Sequence, residues 1–385
     1  MTLKVSARGG ISPFIVMEVM RAAHARAAAG GDVIHLEVGQ PSTGAPQTVI
    51  AAAQAALSRD RLGYTEALGL PNLRARIARH YRETYDVAVD PARVVVTTGS
   101  SGAFLLAFLA AFDAGDRVAL AEPGYPAYRN ILRAVDVTPV GLPSTLADAF
   151  QPTPALLEKA QAQAPLDGLI IASPANPTGS MMTPQALAEV AGWCRAHGVR
   201  LISDEIYHGI AYGPRAETAL KSDPDAIVIN SFSKYFSMTG WRLGWMIVPP
   251  DLTRAVECLA QNLFISPPTL AQVAAAAAFD AHDELRGNVA RYARNRTILM
   301  EGLAAAGLDR LAPADGAFYL YADVGGVTDS STAFCAKLLA DTGIAATPGV
   351  DFDAPRGEGF VRFCFAGSEA EMREASRRLK AWLKP

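Results

Sequence analysis

The sequence predicts an α/β protein, a large domain with a mostly parallel, doubly covered sheet and a smaller α+β domain beside it. Three observations carry this. From residue 92 short apolar strands alternate with turns and helical stretches, the pattern of parallel strands joined by crossovers. After residue 250 the chain turns helical and then mixed, which sets off the smaller unit. With 385 residues, half of them hydrophobic, it can bury a large core and divide into two domains.

Residues 11–30 read as a helix on Phe14, Val16, Met17, Val19 and Met20, closing at Gly30-Gly31. Val33 to Val38 reads as a short strand stopped by Gly39-Gln40-Pro41, where Gly39 lets the backbone pass close to a ligand or simply turn. Residues 46–59 and 71–83 read as helices, the second begun by Pro71 at a first-turn position. The loop between them carries Tyr64. Strands follow at 94–98, 117–121, 169–173, 200–203 and 226–230, with a further run at 243–248. The helix after 94–98 opens on Gly99-Ser100-Ser101-Gly102 and runs to about Ala111, and another starts at Thr183-Pro184. Helices at 251–265, 269–281 and 283–306 precede a strand at 316–323, a helix at 331–342, a strand at 359–365 and a closing helix at 368–383. The large domain is expected to span 46–285, and the small one to combine 1–45 with 286–385.

Ligands of such sheets bind beyond the carboxyl ends of the strands. Tyr125, Asn176, Asp204, Tyr207 and Lys234 all follow strand ends. Net charge is −3 with the signs interspersed, so no basic field awaits nucleic acid or an anionic membrane. No apolar run approaches the length of a membrane span, and the first ten residues lack a signal peptide's apolar core. A cytoplasmic protein is expected. Cys194, Cys258, Cys335 and Cys364 are too scattered for a zinc site or a disulfide frame, and His208 reads as structural; no metal is expected.

The chemistry concentrates at Ser231-Phe-Ser233-Lys234, with Arg242 eight residues on. A lysine amine can form a Schiff base with pyridoxal 5'-phosphate (PLP), and nearby serines and an arginine can hold its phosphate. The other requirements of that cofactor also have candidates. Ser100, Ser101 and Gly102 open a helix that can receive the dianion. Asp204, with Glu205 as rival, can keep the pyridine nitrogen protonated. Asn176 and Tyr207 can donate to the phenolic oxygen, Tyr125 can face the ring, and Arg362 can grip a carboxylate with two hydrogen bonds.

Ser231-x-Ser-Lys234, Gly240-Trp-Arg242-x-Gly244, Asn176-Pro-Thr-Gly179, Asp204-Glu-x-Tyr207 and Arg362 together resemble the class I/II aminotransferases of fold type I, the aspartate aminotransferase superfamily. The resemblance runs in order from Gly39-Gln-Pro to Arg362. It implies that an amino group passes from an L-amino acid to a 2-oxo acid by a ping-pong route through a Schiff base at Lys234, which also shuttles the α-proton. It implies catalytic roles for Asp204 and Tyr207, cofactor contacts from Ser100, Ser101, Gly102, Tyr125, Asn176, Ser231, Ser233 and Arg242, and substrate contacts from Gly39, Asn176 and Arg362. It also implies a homodimer in which Tyr64 reaches the neighbouring subunit's phosphate. Two positions depart from the pattern: Tyr125 stands where aspartate-type members often carry tryptophan, and Ser100-Ser101 where relatives often have lysine or another small pair. A β-eliminating lyase on the same fold, or a PLP-binding regulator without turnover, are the alternatives; the chain's lack of a basic arm disfavours the regulator. No lysine or arginine lies between Arg254 and Arg286, which with Phe14, Ile15 and Phe264 favours neutral or aromatic substrates over dicarboxylic ones.

Overall fold

The structure is a computed structural model that describes residues 3–384; residues 1, 2 and 385 of the expected small domain lie outside the described residues. α1 (Ile15–Ala28), β1 (Ile34–His35), α2 (Gln47–Arg59) and α3 (Pro71–Tyr85) lead into β2 (Val94–Thr97). Then come α4 (Gly99–Ala111), β3 (Arg117–Glu122), α5 (Pro126–Ala134), β4 (Thr138–Pro143), α6 (Pro154–Gln161), β5 (Gly168–Ala172), α7 (Pro184–His197), β6 (Arg200–Asp204), β7 (Ile227–Ser231) and β8 (Gly244–Ile247). The chain closes with α8 (Pro250–Leu263), α9 (Thr269–Ala275), α10 (His282–Ala306), β9 (Tyr319–Asp323), α11 (Ser331–Thr342), β10 (Ile344–Ala345), β11 (Thr347–Pro348), β12 (Phe360–Cys364) and α12 (Glu369–Leu383).

Among the described residues a seven-stranded sheet has the order β2-β8-β7-β6-β5-β3-β4. Only β8 runs against its neighbours, pairing antiparallel with both β2 and β7. β2 therefore runs in the same direction as β7, and the carboxyl ends of β2, β7, β6, β5 and β3 fall on one edge. Successive strand residues point to opposite faces, and both faces are buried. Val94 and Val96 join one core with Val228, Leu169 and Leu201, while Val95 joins another with Ile227, Ile229, Ile170 and Ile202. This is the doubly covered α/β sheet the sequence predicts.

A third core gathers Ile34 and Leu36 with residues of α10, β9, α11, β12 and α12, and includes Tyr207 and Ile210 from beyond β6. β1 pairs in parallel with β10, Ile34 against Ile344, and β12 lies between β11 and β9. Local signals set several ends. Thr183 accepts from Ala186 N at the start of α7, and Gly198 ends it at φ 66°. Ser368 and Glu371 form a reciprocal capping box for α12.

Several expected elements change. The strand at 33–38 shrinks to Ile34–His35, because beyond it the backbone turns its groups to other partners: Glu37 O accepts from Thr347 Oγ1. The strand at 316–323 begins only at Tyr319, after Ala317 at φ 55° breaks the extended run. The helix at 269–281 divides into α9 and a 3-10 turn, Ala276–Asp280. α5, β4, α6, β10 and β11 have no counterpart among the expected elements. β4, Thr-Pro-Val-Gly-Leu-Pro, holds two prolines and a glycine, which only an edge strand tolerates, and it is the edge of its sheet.

Candidate active site

The shared edge of strand ends opens into a cavity of about 420 Å³. Ser100 and Ser101 from α4, Tyr125 after β3, Asn176 after β5, Asp204 and Tyr207 from β6 and its turn, and Ser233, Lys234 and Arg242 after β7 all line it. The opposite wall comes from the two ends of the chain: Phe14, Val16, Met17, Val38, Gly39, Gln40, Tyr319 and Arg362.

The first turn of α4 has backbone N–H groups with no intrahelical partner. Arg242 lies directly against it. A Cβ at Gly99, where φ is 69°, would stand 2.5 Å from Arg242 Nη2, so only glycine leaves room for the guanidinium. Arg242 is itself held in the left-handed conformation at φ 52° and donates to Thr239 O at 3.0 Å. Ser231 Oγ bonds Ser233 Oγ at 2.9 Å and Leu243 O at 3.0 Å, and accepts from Ser233 N. Helix N–H groups, hydroxyls and a guanidinium facing one space form the donor set a phosphate dianion requires.

Asp204 is buried, and burial pushes its carboxyl up to about 6. The Tyr128 hydroxyl, the Ile206 N–H and the Lys234 ammonium oppose that rise. A carboxylate kept in such a place, facing a cavity, is suited to a cationic heterocycle. Glu205 is turned away: Oε1 accepts from Thr218 Oγ1 and Ala219 N, both at 2.9 Å, and the carboxyl is pushed up to about 8 by burial. Lys234 donates to Gly39 O, and its amine is pulled down to about 8. Desolvation is the main cause, with Arg362 and Arg242 adding to it against Cys364 and Asp204. An amine with that pKa is partly uncharged near neutral pH and can attack a carbonyl. The residues present thus fit PLP.

Arg362, 2% exposed, is fixed from three sides. It donates to Asn176 Oδ1 at 2.8 Å, to Glu37 O and to Thr347 Oγ1 at 3.2 Å. Its guanidinium stands 4.4 Å from the Tyr319 ring centroid and 4.8 Å from that of Phe352. Tyr319 Oη also lies 2.6 Å from Tyr207 Oη, and a Cβ at Gly39 would meet that same hydroxyl at 1.7 Å. Tyr125 packs edge-on against Phe14 at 5.7 Å and Tyr128 at 5.2 Å.

Of the residues expected from sequence, the cavity brings together Gly39, Ser100, Ser101, Tyr125, Asn176, Asp204, Tyr207, Ser233, Lys234, Arg242 and Arg362. Ser231 and Gly102 do not line it, although Ser231 is bonded to Ser233, which does. Tyr64 stands apart on its loop, 85% exposed, in a surface depression with Arg61 and Ser266 to Thr269. Of the apolar trio expected near the substrate only Phe14 lines the cavity, since Phe264 packs behind α4 near Gly102 and Ile15 gives way to Val16 and Met17. Sequence reasoning missed Tyr319, Tyr128, Thr347 and Glu37. Tyr128 carried a signal, three residues after Tyr125 at the start of a helix; Tyr319 meets Tyr207 across 112 residues, and Glu37 and Thr347 meet Arg362 across 325 and 15, with no local pattern to announce them.

The sequence pattern described as aminotransferase class I and II matches residues 31–379. A valine–pyruvate aminotransferase of Mycobacterium tuberculosis is 54% identical over 387 residues, covering 100% of this chain and 99% of the relative. An aspartate/prephenate aminotransferase of Thermus thermophilus is 32% identical, over 91% of this chain and 90% of its own. The crystal structure of an aminotransferase from Mycobacterium tuberculosis superposes with a TM-score of 0.97 at 54% identity, covering 99% of each chain.

Proposed function

The chain belongs to the class I and II aminotransferases and is PLP-dependent, and we propose that it takes the amino group of a neutral, branched amino acid such as valine and delivers it to pyruvate. The observation that carries this reading is the distribution of charge in the cavity. Its lining cations are Lys234, Arg242 and Arg362, each with a task of its own, and the wall left for a side chain is Phe14, Val16, Met17, Tyr125 and Ile206. A second carboxylate there would be desolvated without a partner. The valine–pyruvate aminotransferase at 54% identity supports the same choice.

In this reading Ser100, Ser101, Gly102, Ser231, Ser233 and Arg242 hold the phosphate, and Tyr64 of a second copy completes it. Asp204 pairs with the ring nitrogen, Asn176 and Tyr207 face the phenolic oxygen, and Tyr125 covers the ring. PLP, when bound, supplies an electron-withdrawing ring that acidifies the substrate's α-hydrogen. Arg362 holds the substrate α-carboxylate beside Gly39 and Asn176, so the α-carbon faces Lys234. The Lys234 amine, near its pKa at working pH, takes the proton from the α-carbon and returns it. Burial behind Phe14 and Tyr125 keeps water from competing for that proton.

We further propose a large domain at 46–285 with a small one from both chain ends, supported by the separate core around β9 and β12. A homodimer is supported by Tyr64, exposed in its surface depression, and by the exposed apolar Leu263 and Ile265 just before Ser266 of that depression. A reducing, cytoplasmic setting is supported by four free cysteines, three of them buried. No helix among the described residues is long and apolar enough to cross a membrane. A panel of donors against pyruvate and 2-oxoglutarate tests the substrate. Valine and its neighbours with pyruvate should lead, and a preference of about tenfold or more (1.4 kcal/mol) for aspartate or glutamate would overturn it.

A further inference from the structure

α1 begins without a cap of its own. Phe14 stands at its N-cap with no side-chain hydrogen bond to offer, and the segment before it is Ile-Ser-Pro. Two N–H groups of the first turn that lack an intrahelical partner are met from the far end of the chain. Ile15 N donates to Asp351 Oδ1 at 3.1 Å, and Val16 N to Asp351 Oδ2 at 3.2 Å. Asp351 is 1% exposed, so this cap is buried and both its oxygens are engaged by α1. Its backbone oxygen accepts from Arg129, on the helix that starts just after Tyr125. Four residues before it, Thr347 Oγ1 accepts from Arg362. One short stretch therefore holds both the carboxylate-binding guanidinium and the helix end that carries Phe14, Val16 and Met17 into the cavity.

We propose that Asp351 is a positioning residue for substrate selection: by capping α1 from across the chain it fixes the Phe14–Met17 wall at a set distance from Arg362. This deepens, and rests on, the reading of a neutral amino donor. The cap does not touch the substrate. It sets how much room a side chain has once the α-carboxylate is seated, so its loss falls on donors that fill the wall and spares those that do not reach it.

The test uses the holoenzyme with Asp351→Asn, which keeps volume but leaves one acceptor oxygen, and with Asp351→Ala as a second variant. Amide exchange at Ile15 and Val16 should quicken by about fivefold to tenfold, the population change expected when a helix loses its cap. In single-turnover half reactions kcat/KM for valine and isoleucine should fall by a similar factor, about fivefold to tenfold, mainly through KM, with alanine changed by less than about twofold. Unchanged exchange overturns the proposal. So does an equal loss for every donor, which would make Asp351 a support for Arg362 alone. If the unaltered enzyme favours acidic donors, the neutral-donor reading falls by that measurement, and faster exchange without dependence on side-chain size then overturns this proposal as well.

Discussion

Along the strand-end wall, Ser100 and Ser101 stand at an open helix terminus and Arg242 gives a single N–H to Thr239. Across the cavity, Arg362 commits its terminal nitrogens to Asn176, Glu37 and Thr347, with aromatic rings at 4.4 and 4.8 Å from its carbon. The first wall leaves donors free, which the proposed reading assigns to an anion that arrives with the cofactor. The second is assembled beforehand around one guanidinium, which in the proposed reading gives a passing substrate a fork already aimed. In the proposed reading cofactor retention belongs to the first wall and substrate recognition to the second, and substitutions can test that division.

The largest effect belongs to Lys234→Ala. Removing the amine takes away both the covalent link and the proton carrier, so turnover should fall by at least about 10⁴-fold with an unchanged circular dichroism spectrum. Residual turnover near the parent level would remove Lys234 from the chemistry. Asp204→Asn comes next, at about 10²- to 10³-fold in kcat, the scale of a lost preorganised electrostatic partner. The same change should act oppositely on the cofactor-free protein. The folded carboxyl titrates at about 6 and the free one at 3.8, so the folded state holds that proton more tightly. Below about pH 4 both states are protonated and nothing is lost; as pH rises through 6 the buried charge costs up to about 3 kcal/mol. Asp204→Asn should therefore raise the apoprotein's melting temperature at pH 7.5 and leave it nearly unchanged at pH 4, read by thermal scans. A lower melting temperature at pH 7.5 would mean that the hydrogen bond from Tyr128 outweighs desolvation.

Arg362→Lys tests the opposite wall. An ammonium cannot reproduce the fork, so every amino acid donor should lose about 2–3 kcal/mol in kcat/KM by a common factor, with PLP affinity retained. Weak cofactor binding in this variant would mean that the two walls, already joined by the Arg362–Asn176 hydrogen bond, act as one. The smallest effect is expected for Tyr319→Phe. Only the hydroxyl 2.6 Å from Tyr207 is lost, about 1 kcal/mol. It should move the pH titration of the bound cofactor's absorbance while changing kcat by less than about tenfold. No spectral shift would show Tyr319 acting through its ring alone.

The two walls are also unequally legible in the sequence. Groups at strand ends announce themselves: a buried apolar run leading into Ser-x-Ser-Lys or Asp-Glu-x-Tyr places its polar residues on the ligand side by topology alone. Asp204 and Glu205 are harder to separate from sequence, and partners 13 and 14 residues beyond Glu205 separate them in the fold. Thr218 and Ala219 engage Glu205 and leave Asp204 facing the cavity. On the other wall Arg362 is legible as a guanidinium ending a strand, yet its supports are not. Glu37 and Thr347 meet it across 325 and 15 residues, and no local pattern encodes such meetings. Tyr319 looks like one more aromatic in a strand. Its position is set by Gly39, whose missing side chain suggests a turn in the sequence and in the fold admits a hydroxyl.

The reversed strand β8 also bears on how the molecule is made. β2 has β8 as its sheet partner, with Val94 opposite Ile247. As the chain leaves the ribosome, the first strand of the large sheet must wait about 150 residues for its ladder, on the order of ten seconds at typical synthesis rates. During that interval Val94 to Val96, buried on both faces at the end, have no strand to pair with. β1 waits longer still, for Ile344. Nascent chains halted before residue 244 should accordingly bind chaperones through this segment, and chains long enough to bring residue 247 clear of the ribosome should release them as the sheet closes.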